Sequence, residues 1–233
     1  MNDSLFYENQ AHLQGYRQVA GIDEAGRGCV IGPLVICGAM IDDNKQENLK
    51  NMGVKDSKLL TPLKRERLFD DLQGVLKFEI IIIDPAEIDS YVLSETGDNL
   101  NWLEAQKSVE IINRLKPEEA ILDCPSQNTK AYKEYVTERL LHKKLTIKAE
   151  HKADFNYPIV AAASILAKVT RDAEIAKIKK EVGEDFGSGY MADPKTAAFL
   201  KKNWNKYPSI FRQSWAPYQT LSGMKKQKGL KDF

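Results

Sequence analysis

Only three cysteines occur in the 233 residues, Cys29, Cys37 and Cys124, and no two of them form a C-x-x-C pair. An odd, scattered set argues against a disulfide framework and against a zinc knuckle, and it suits a reducing compartment. No apolar run approaches the ~18 residues that a membrane span requires, so no membrane association is expected. The first ten residues, MNDSLFYENQ, carry no basic segment and no long apolar stretch, and no secretory leader is expected there. Neither sign of charge dominates: 34 Lys and Arg against 33 Asp and Glu leave a net charge of +1. A sum near zero neither demands nor excludes a polyanionic partner, because an acidic site would cancel basic binding surfaces. Internal repeats and low-complexity tracts are lacking too. What is present is an ordinary globular composition, long enough for one large domain or one domain with a small appendage, and a cytoplasmic location is expected.

Apolar patterning predicts a mixed α/β fold. Residues 17–23 and 33–41 read as two strands joined by a Gly-rich bend, which argues against a purely parallel doubly wound sheet. A third strand is expected at Lys77–Asp84, whose isoleucine run suggests a buried strand. A fourth is Glu119–Asp123 and a fifth Lys144–Glu150. Thr61-Pro62 reads as a helix cap with proline at the first helical position, opening LKRERLFDDLQ. Helical spacing also marks 99–116, Thr129–His142 and Pro158–Val182. The last of these begins small and apolar, so it should be buried, and ends charged, so it should reach solvent. Residues 193–218 read as helix and loop, and 222–233 as a flexible tail.

The chemistry gathers at strand ends. Asp23 and Glu24 close the first strand, Asp123 closes the fourth, and Asp154 follows the fifth in EHKADFNYP. Converging carboxylates cannot all stay ionised without a counter-charge. A hard divalent cation with oxygen ligands, Mg²⁺ or Mn²⁺, is the economical one, and two such ions suit phosphodiester hydrolysis. Taken singly, an acid at a strand end reads more readily as a turn or cap residue, while the Asp23-Glu24 pair before a Gly-rich bend reads equally well either way. Gly26, Gly28 and Gly32 follow as G-x-G-x-x-x-G, which fits neither the dinucleotide-binding nor the Walker pattern. Two readings remain: close approach of backbone to a ligand, with Arg27 pinning a phosphate, or a tight hairpin turn.

These segments resemble a known family. Gly21-Ile22-Asp23-Glu24-Ala25-Gly26-Arg27-Gly28 with Ile31-Gly32-Pro33 resembles the opening motif of the ribonuclease HII (type 2 ribonuclease H) family. Asp56-Ser57-Lys58 resembles its D-S-K element, IVAAASILAKVTRD at 159–172 its A-A-S-I-x-A-K-V-x-R-D helix, and GSGYMADP at 187–194 the G-S-G-Y-x-x-D-P element of its archaeal branch. The resemblance implies a ribonuclease H-like fold with a central mixed β-sheet flanked by helices, and a small helical C-terminal extension. It implies a catalytic domain over 1–186, a substrate-binding extension over 187–221 and a tail over 222–233. It further implies Mg²⁺- or Mn²⁺-dependent cleavage of the RNA strand of RNA–DNA hybrids and at single ribonucleotides in duplex DNA, by a monomer.

Carried over residue by residue, the catalytic and metal-binding acids are Asp23, Glu24, Asp123 and Asp154, with Asp172 as a rival for the fourth. Gly26, Arg27 and Gly28 would contact the ribonucleotide 2′-OH, and Tyr190 would pack on the adjacent sugar. Lys58, Lys168 and Arg171 are candidate phosphate contacts, although Lys168 and Arg171 also read as a solvated helix face. Cys29 departs from the family, which usually has proline there, and a slightly looser loop is expected. At the C-terminus, Gln227, Leu230 and Phe233 fit Q-x-x-h-x-x-aromatic and resemble a sliding-clamp-binding peptide, with a solubilising basic tail as the plain alternative. Competing functions are another polynucleotidyl transferase or a four-acid exonuclease of the same fold, a non-catalytic adaptor that binds hybrid and clamp, and a metal-independent ribonuclease using a pair from His12, His142 and His151.

Overall fold

The computed structural model describes residues 16–94 and 99–223. Five strands, β1 (Gln18–Ala25), β2 (Leu34–Asp42), β3 (Lys77–Ile83), β4 (Glu119–Asp123) and β5 (Thr146–Glu150), form one sheet in the order β3-β2-β1-β4-β5. The helices among the described residues are α1 (Gln46–Asn51), α2 (Pro62–Gln73), α3 (Pro85–Val92), α4 (Leu100–Leu115), α5 (Thr129–Arg139), α6 (Ala153–Asn156), α7 (Pro158–Val182), α8 (Pro194–Asn203) and α9 (Ala216–Ser222). β1, β4 and β5 run parallel. Residues 26–33 alone join the neighbours β1 and β2, and so short a link serves an antiparallel pair, since a parallel pair needs a crossover of about a dozen residues. The sheet is therefore mixed, as the sequence predicts.

Local chemistry sets the boundaries. Thr61 caps α2 by accepting from the Lys64 N–H, with Pro62 first in the helix. Asp84 and Asn128 cap α3 and α5 in the same way, satisfying amides that have no partner within the helix. α5 stops at Arg139, three residues short of the predicted end, because Leu140 turns extended and is buried. The isoleucine run of β3 is not the buried strand its composition suggests. β3 lies at the sheet edge, Ile80 and Ile81 are half-buried, and Ile82 is 45% exposed. An apolar run reports affinity for a pleated surface and cannot tell a central strand from an edge.

The chain divides into two compact units. The first comprises 16–25, 36–81 and 104–169 of the described residues, and carries most of the sheet. In it β1 closes on the start of α7: a Cβ at Gly21 would come within 2.6 Å of the Ile159 and Val160 backbone. The small-residue run of α7 permits this approach, and Ile159 through Ala163 are essentially fully buried. Of the described residues, the second unit comprises 26–35, 82–94, 99–103 and 170–223. Its core joins Val30 and Ile31 to Phe186, Phe199, Phe211 and Tyr218, with the Phe186 and Phe199 rings 5.4 Å apart.

Gly21→Ala should therefore destabilise more than Gly38→Ala. An added Cβ at Gly38 meets side chains only, those of Ile111, Ile22 and Leu115, and side chains can give by small shifts where backbone cannot. Overpacking at Gly21 should cost about 1–3 kcal/mol, read by denaturant unfolding. Equal losses would mean that the strand–helix contact yields as readily as side chains do.

Candidate active site

Parallel register begins the site. Ile22 lies opposite Leu122, and Asp123 opposite Glu150. One further step sets Asp23 beside Asp123, two acids at the carboxyl ends of adjacent parallel strands, where open α/β sheets bind ligands. Asp154 arrives by a different route. After β5 the chain reverses through Lys152 in the left-handed region, φ 57°, and one turn of helix, α6, begins. The reversal is tied to the end of β4: the Ala153 N–H donates to Asp123 Oδ1 at 2.9 Å, and His151 Nδ1 lies 3.0 Å from the Cys124 carbonyl oxygen. Carboxylate oxygens of Asp23, Asp123 and Asp154 consequently lie within 4.8 Å of one another. The third member is the acid of H-K-A-D. Asp172 instead lies 3.8 Å from the Arg171 guanidinium.

Electrostatic strain marks the trio. Asp23 is buried, and burial first, then the charges of Glu24 and Asp123, hold its carboxyl well above the usual range. The Ser164 hydroxyl and the Glu24 N–H, which donates to Asp23 Oδ1 at 2.7 Å, offset only part of this. Asp154 is raised in the same direction, by burial and then by Asp123, with Lys58 opposing. Glu24, half-buried, stands next to the trio, near enough for its charge to act on Asp23. Lys58 Nζ lies 3.7 Å from Asp154 Oδ2 on a side chain that is 81% exposed. Burial pulls the Lys58 ammonium down, but Asp154, Asp56, Asp23 and Asp123 together outweigh it and raise it. The D-S-K turn holds this lysine in place: Asp56 accepts from the Lys58 N–H, and Ser57 Oγ lies 2.9 Å from Ser164 Oγ.

The donor set is all oxygen, anionic and mutually repelling, which fits a hard divalent cation. The neighbouring thiol does not extend it. Cys124 donates to the Ser126 carbonyl, and burial pushes the thiol up.

The glycine loop follows β1 directly. Gly26 has φ +91°, and a Cβ there would lie 2.4 Å from Arg171 Nε, so only glycine fits. Arg27 donates to Asn101 Oδ1 at 2.7 Å. Gly28 is exposed, and a Cβ there would meet only the Tyr190 ring, at 3.7 Å. Cys29 is fully buried, its N–H donates to the Gly26 carbonyl, and its Sγ accepts from Arg171 Nη2 at 2.8 Å. Proline has no N–H for the first of these bonds. The loop is therefore tied at Cys29, where the sequence suggested slack.

The G-S-G-Y-x-x-D-P element presents Tyr190 from the same unit. Asp193 caps α8 and accepts from the Ser188 N–H, while Thr196 Oγ1 accepts from the Gly189 N–H and donates to the Phe186 carbonyl. The Gly189 carbonyl in turn accepts from the Val30 N–H at 2.9 Å. Burial first, and then Cys29, push the Tyr190 hydroxyl up to about 12, so it stays protonated at neutral pH.

Arg171 departs from its expected role. It is 1% exposed, donates to Cys29 Sγ and the Ser188 carbonyl, and lies 5.1 Å from the Tyr190 ring centroid. A solvated face does not suit so buried a guanidinium, whose bonds brace the loop against the G-S-G-Y turn. Lys168 is half-buried, and His142 is exposed. Gln227, Leu230, Phe233 and His12 lie outside the described residues. Sequence reasoning missed Ser164, although a serine within a buried alanine run is a visible signal. It also missed Arg212, which carries no motif at all.

The strain has a measurable sign. A carboxyl raised on folding destabilises the protein once it ionises, so without metal Asp23 contributes stability at acid pH that is lost as pH rises through its elevated folded-state value. Asp23→Asn should raise the metal-free melting temperature at pH 7, by about 2–4 °C for each kcal/mol relieved, and should shrink the added stabilisation by Mg²⁺. A lower melting temperature would mean that hydrogen bonds to the ionised Asp23 outweigh the repulsion.

The profile of the family described as Ribonuclease HII matches residues 20–218. A ribonuclease HII of Pyrococcus horikoshii is 46% identical over 204 residues, 85% of this chain and 90% of the relative. That of Archaeoglobus fulgidus is 42% identical over 222 residues, 92% of this chain and 99% of the relative. Among solved structures, the ribonuclease H2 of P. horikoshii superposes with a TM-score of 0.80 at 43% identity, covering 90% of this chain and 99% of that one. A PCNA:RNase HII complex from A. fulgidus gives 0.77 at 42% identity, covering 85% and 95%. The matched residues 20–218 include the three clustered acids and the glycine loop, and the chain belongs to the ribonuclease HII family.

Proposed function

We propose that this ribonuclease H cleaves the RNA strand of RNA–DNA hybrids and cuts 5′ to single ribonucleotides in duplex DNA, leaving 3′-OH and 5′-phosphate ends. The observation that carries this reading is the trio of Asp23, Asp123 and Asp154, with carboxylate oxygens within 4.8 Å of one another at adjoining strand ends. Together with Glu24, they would hold two Mg²⁺ or Mn²⁺ ions. Bound there, such ions supply an activated water and charge stabilisation for the leaving oxygen. The chain's own residues do the rest. Lys58, with an exposed side chain, would offer its cation to a phosphate, with Lys168 a second candidate. Gly26, Arg27 and Gly28 would contact the 2′-OH, both donor and acceptor and the mark of RNA. Tyr190, protonated and 37% exposed, would set its ring against the neighbouring sugar and donate its O–H. Residues 187–221 would serve as the substrate-binding extension. Only two residues of chain separate Asp23 from Gly26, so reading the sugar and cutting beside it would depend on one short segment.

We further propose that the enzyme acts as a cytoplasmic monomer in RNA primer removal and ribonucleotide excision repair. Gln227, Leu230 and Phe233 would dock it on a sliding clamp; the A. fulgidus relative has been solved with PCNA, which supports this.

A duplex carrying one ribonucleotide should be nicked in Mg²⁺ and not in EDTA, with mapped 3′-OH and 5′-phosphate ends, and Asp123→Asn should lose at least about 10³-fold in rate. A 2′,3′-cyclic phosphate end, or substantial activity in the variant, would overturn the metal assignment. Deleting 226–233 should spare cleavage and abolish clamp binding by calorimetry; unchanged clamp affinity would reject the docking peptide.

A further inference from the structure

Among the described residues two arginines are fully buried, Arg171 and Arg212, and Arg212 is 0% exposed. Its guanidinium is spent on backbone. Nη2 donates to the Gly26 carbonyl at 2.7 Å, Nη1 to the Arg27 carbonyl at 2.7 Å, and Nε to the Gly32 carbonyl at 3.1 Å. One rigid fork therefore grips both the start and the exit of the glycine loop. The arginine is itself fixed. Its N–H donates to the Val30 carbonyl, and its guanidinium lies 4.9 Å from the Trp215 ring centroid. The next two residues are anchored by Asp89, which accepts from the Gln213 and Ser214 amides.

Peptide geometry gives this grip a direction. A trans peptide is planar, and its C=O and the following N–H point opposite ways. There are no cis bonds among the described residues. With the Gly26 and Arg27 carbonyls turned onto one guanidinium, the N–H groups of Arg27 and Gly28 must both face away from it. Two successive amides aimed to one side form a concavity of partial positive charge that favours an oxygen. Gly28 is exposed, and the Tyr190 ring borders it.

We infer that Arg212 is the positioning residue of substrate recognition: by holding the Gly26, Arg27 and Gly32 carbonyls, it aims the Arg27 and Gly28 amides at a ribonucleotide oxygen. The assignment rests on reading this loop as the ribonucleotide contact. Lysine cannot replace it, because a point charge on a flexible stem cannot span three carbonyls in one plane, as the fork does.

The test is Arg212→Lys on a duplex with one ribonucleotide in Mg²⁺, with rates normalised to folded protein from calorimetry. We expect kcat to fall about 100-fold, the scale of a small misplacement of a reacting group, with KM within about twofold because phosphate contacts are untouched. Wild-type kcat in the folded variant overturns the role, and so does a loss that tracks only the unfolded fraction. A second measurement does not require the variant to fold. In ¹⁵N-labelled Asp123→Asn protein, the Arg27 and Gly28 amide signals should shift on binding the ribonucleotide duplex and not the all-DNA duplex. Unmoved amides overturn the proposal. Failure of wild-type protein to nick the duplex would instead reject the underlying reading of the loop.

Discussion

The constraint on which the first unit depends is the repulsion that neighbouring carboxylates exert on the buried Asp23. Asp23 is held in its ionisable form beside Glu24 and Asp123, in a position where burial alone already disfavours its charge. Relaxing that strain would require the strands to slip, and they cannot. A one-residue slip of β1 against β4 would turn every side chain of β1 to the opposite face of the sheet. Gly21, closed against the α7 backbone, fixes β1 from the other side. The repulsion is therefore stored by core packing rather than by local bonds, and a cation that relieves it gains affinity from strain already present.

Much of this was legible in the chain. The spacing from Asp23 to Asp123 became a register of one hundred residues because the two strand patterns, VAGID and EAILD, are alike in length and place the acid at the same end. Asp154 was legible only through the H-K-A-D context. Its delivery depends on a left-handed lysine and a one-turn helix, and neither periodicity nor turn chemistry announces a non-glycine residue at positive φ. The edge position of β3 was illegible for a related reason: strand order is a property of pairing, and four isoleucines look alike in the middle or at the rim.

The second unit was harder to read because its decisive contacts are long in sequence and end on backbone. Arg212 grips carbonyls some 180 residues earlier, and carbonyls have no sequence identity. Arg171 lies within a charged helical stretch whose pattern predicts solvent, yet it is buried against Cys29 and Ser188. A motif marks which residues recur. It does not say whether an arginine faces the ligand or braces the loop that does.

Cys29 shows how these contacts depend on one another. Two buried guanidiniums, Arg171 and Arg212, share its neighbourhood. Burial, with Arg171 adding to it, draws Arg212 down to about 10, still charged at neutral pH. Cations so placed need acceptors that water would otherwise supply. The Gly26, Arg27 and Gly32 carbonyls serve Arg212, and the Ser188 carbonyl with Cys29 Sγ serves Arg171. A proline at position 29 would stiffen the loop through its own ring but would remove both the Sγ acceptor and the amide that closes onto Gly26. The cysteine orders the loop through its partners rather than through its own covalent geometry.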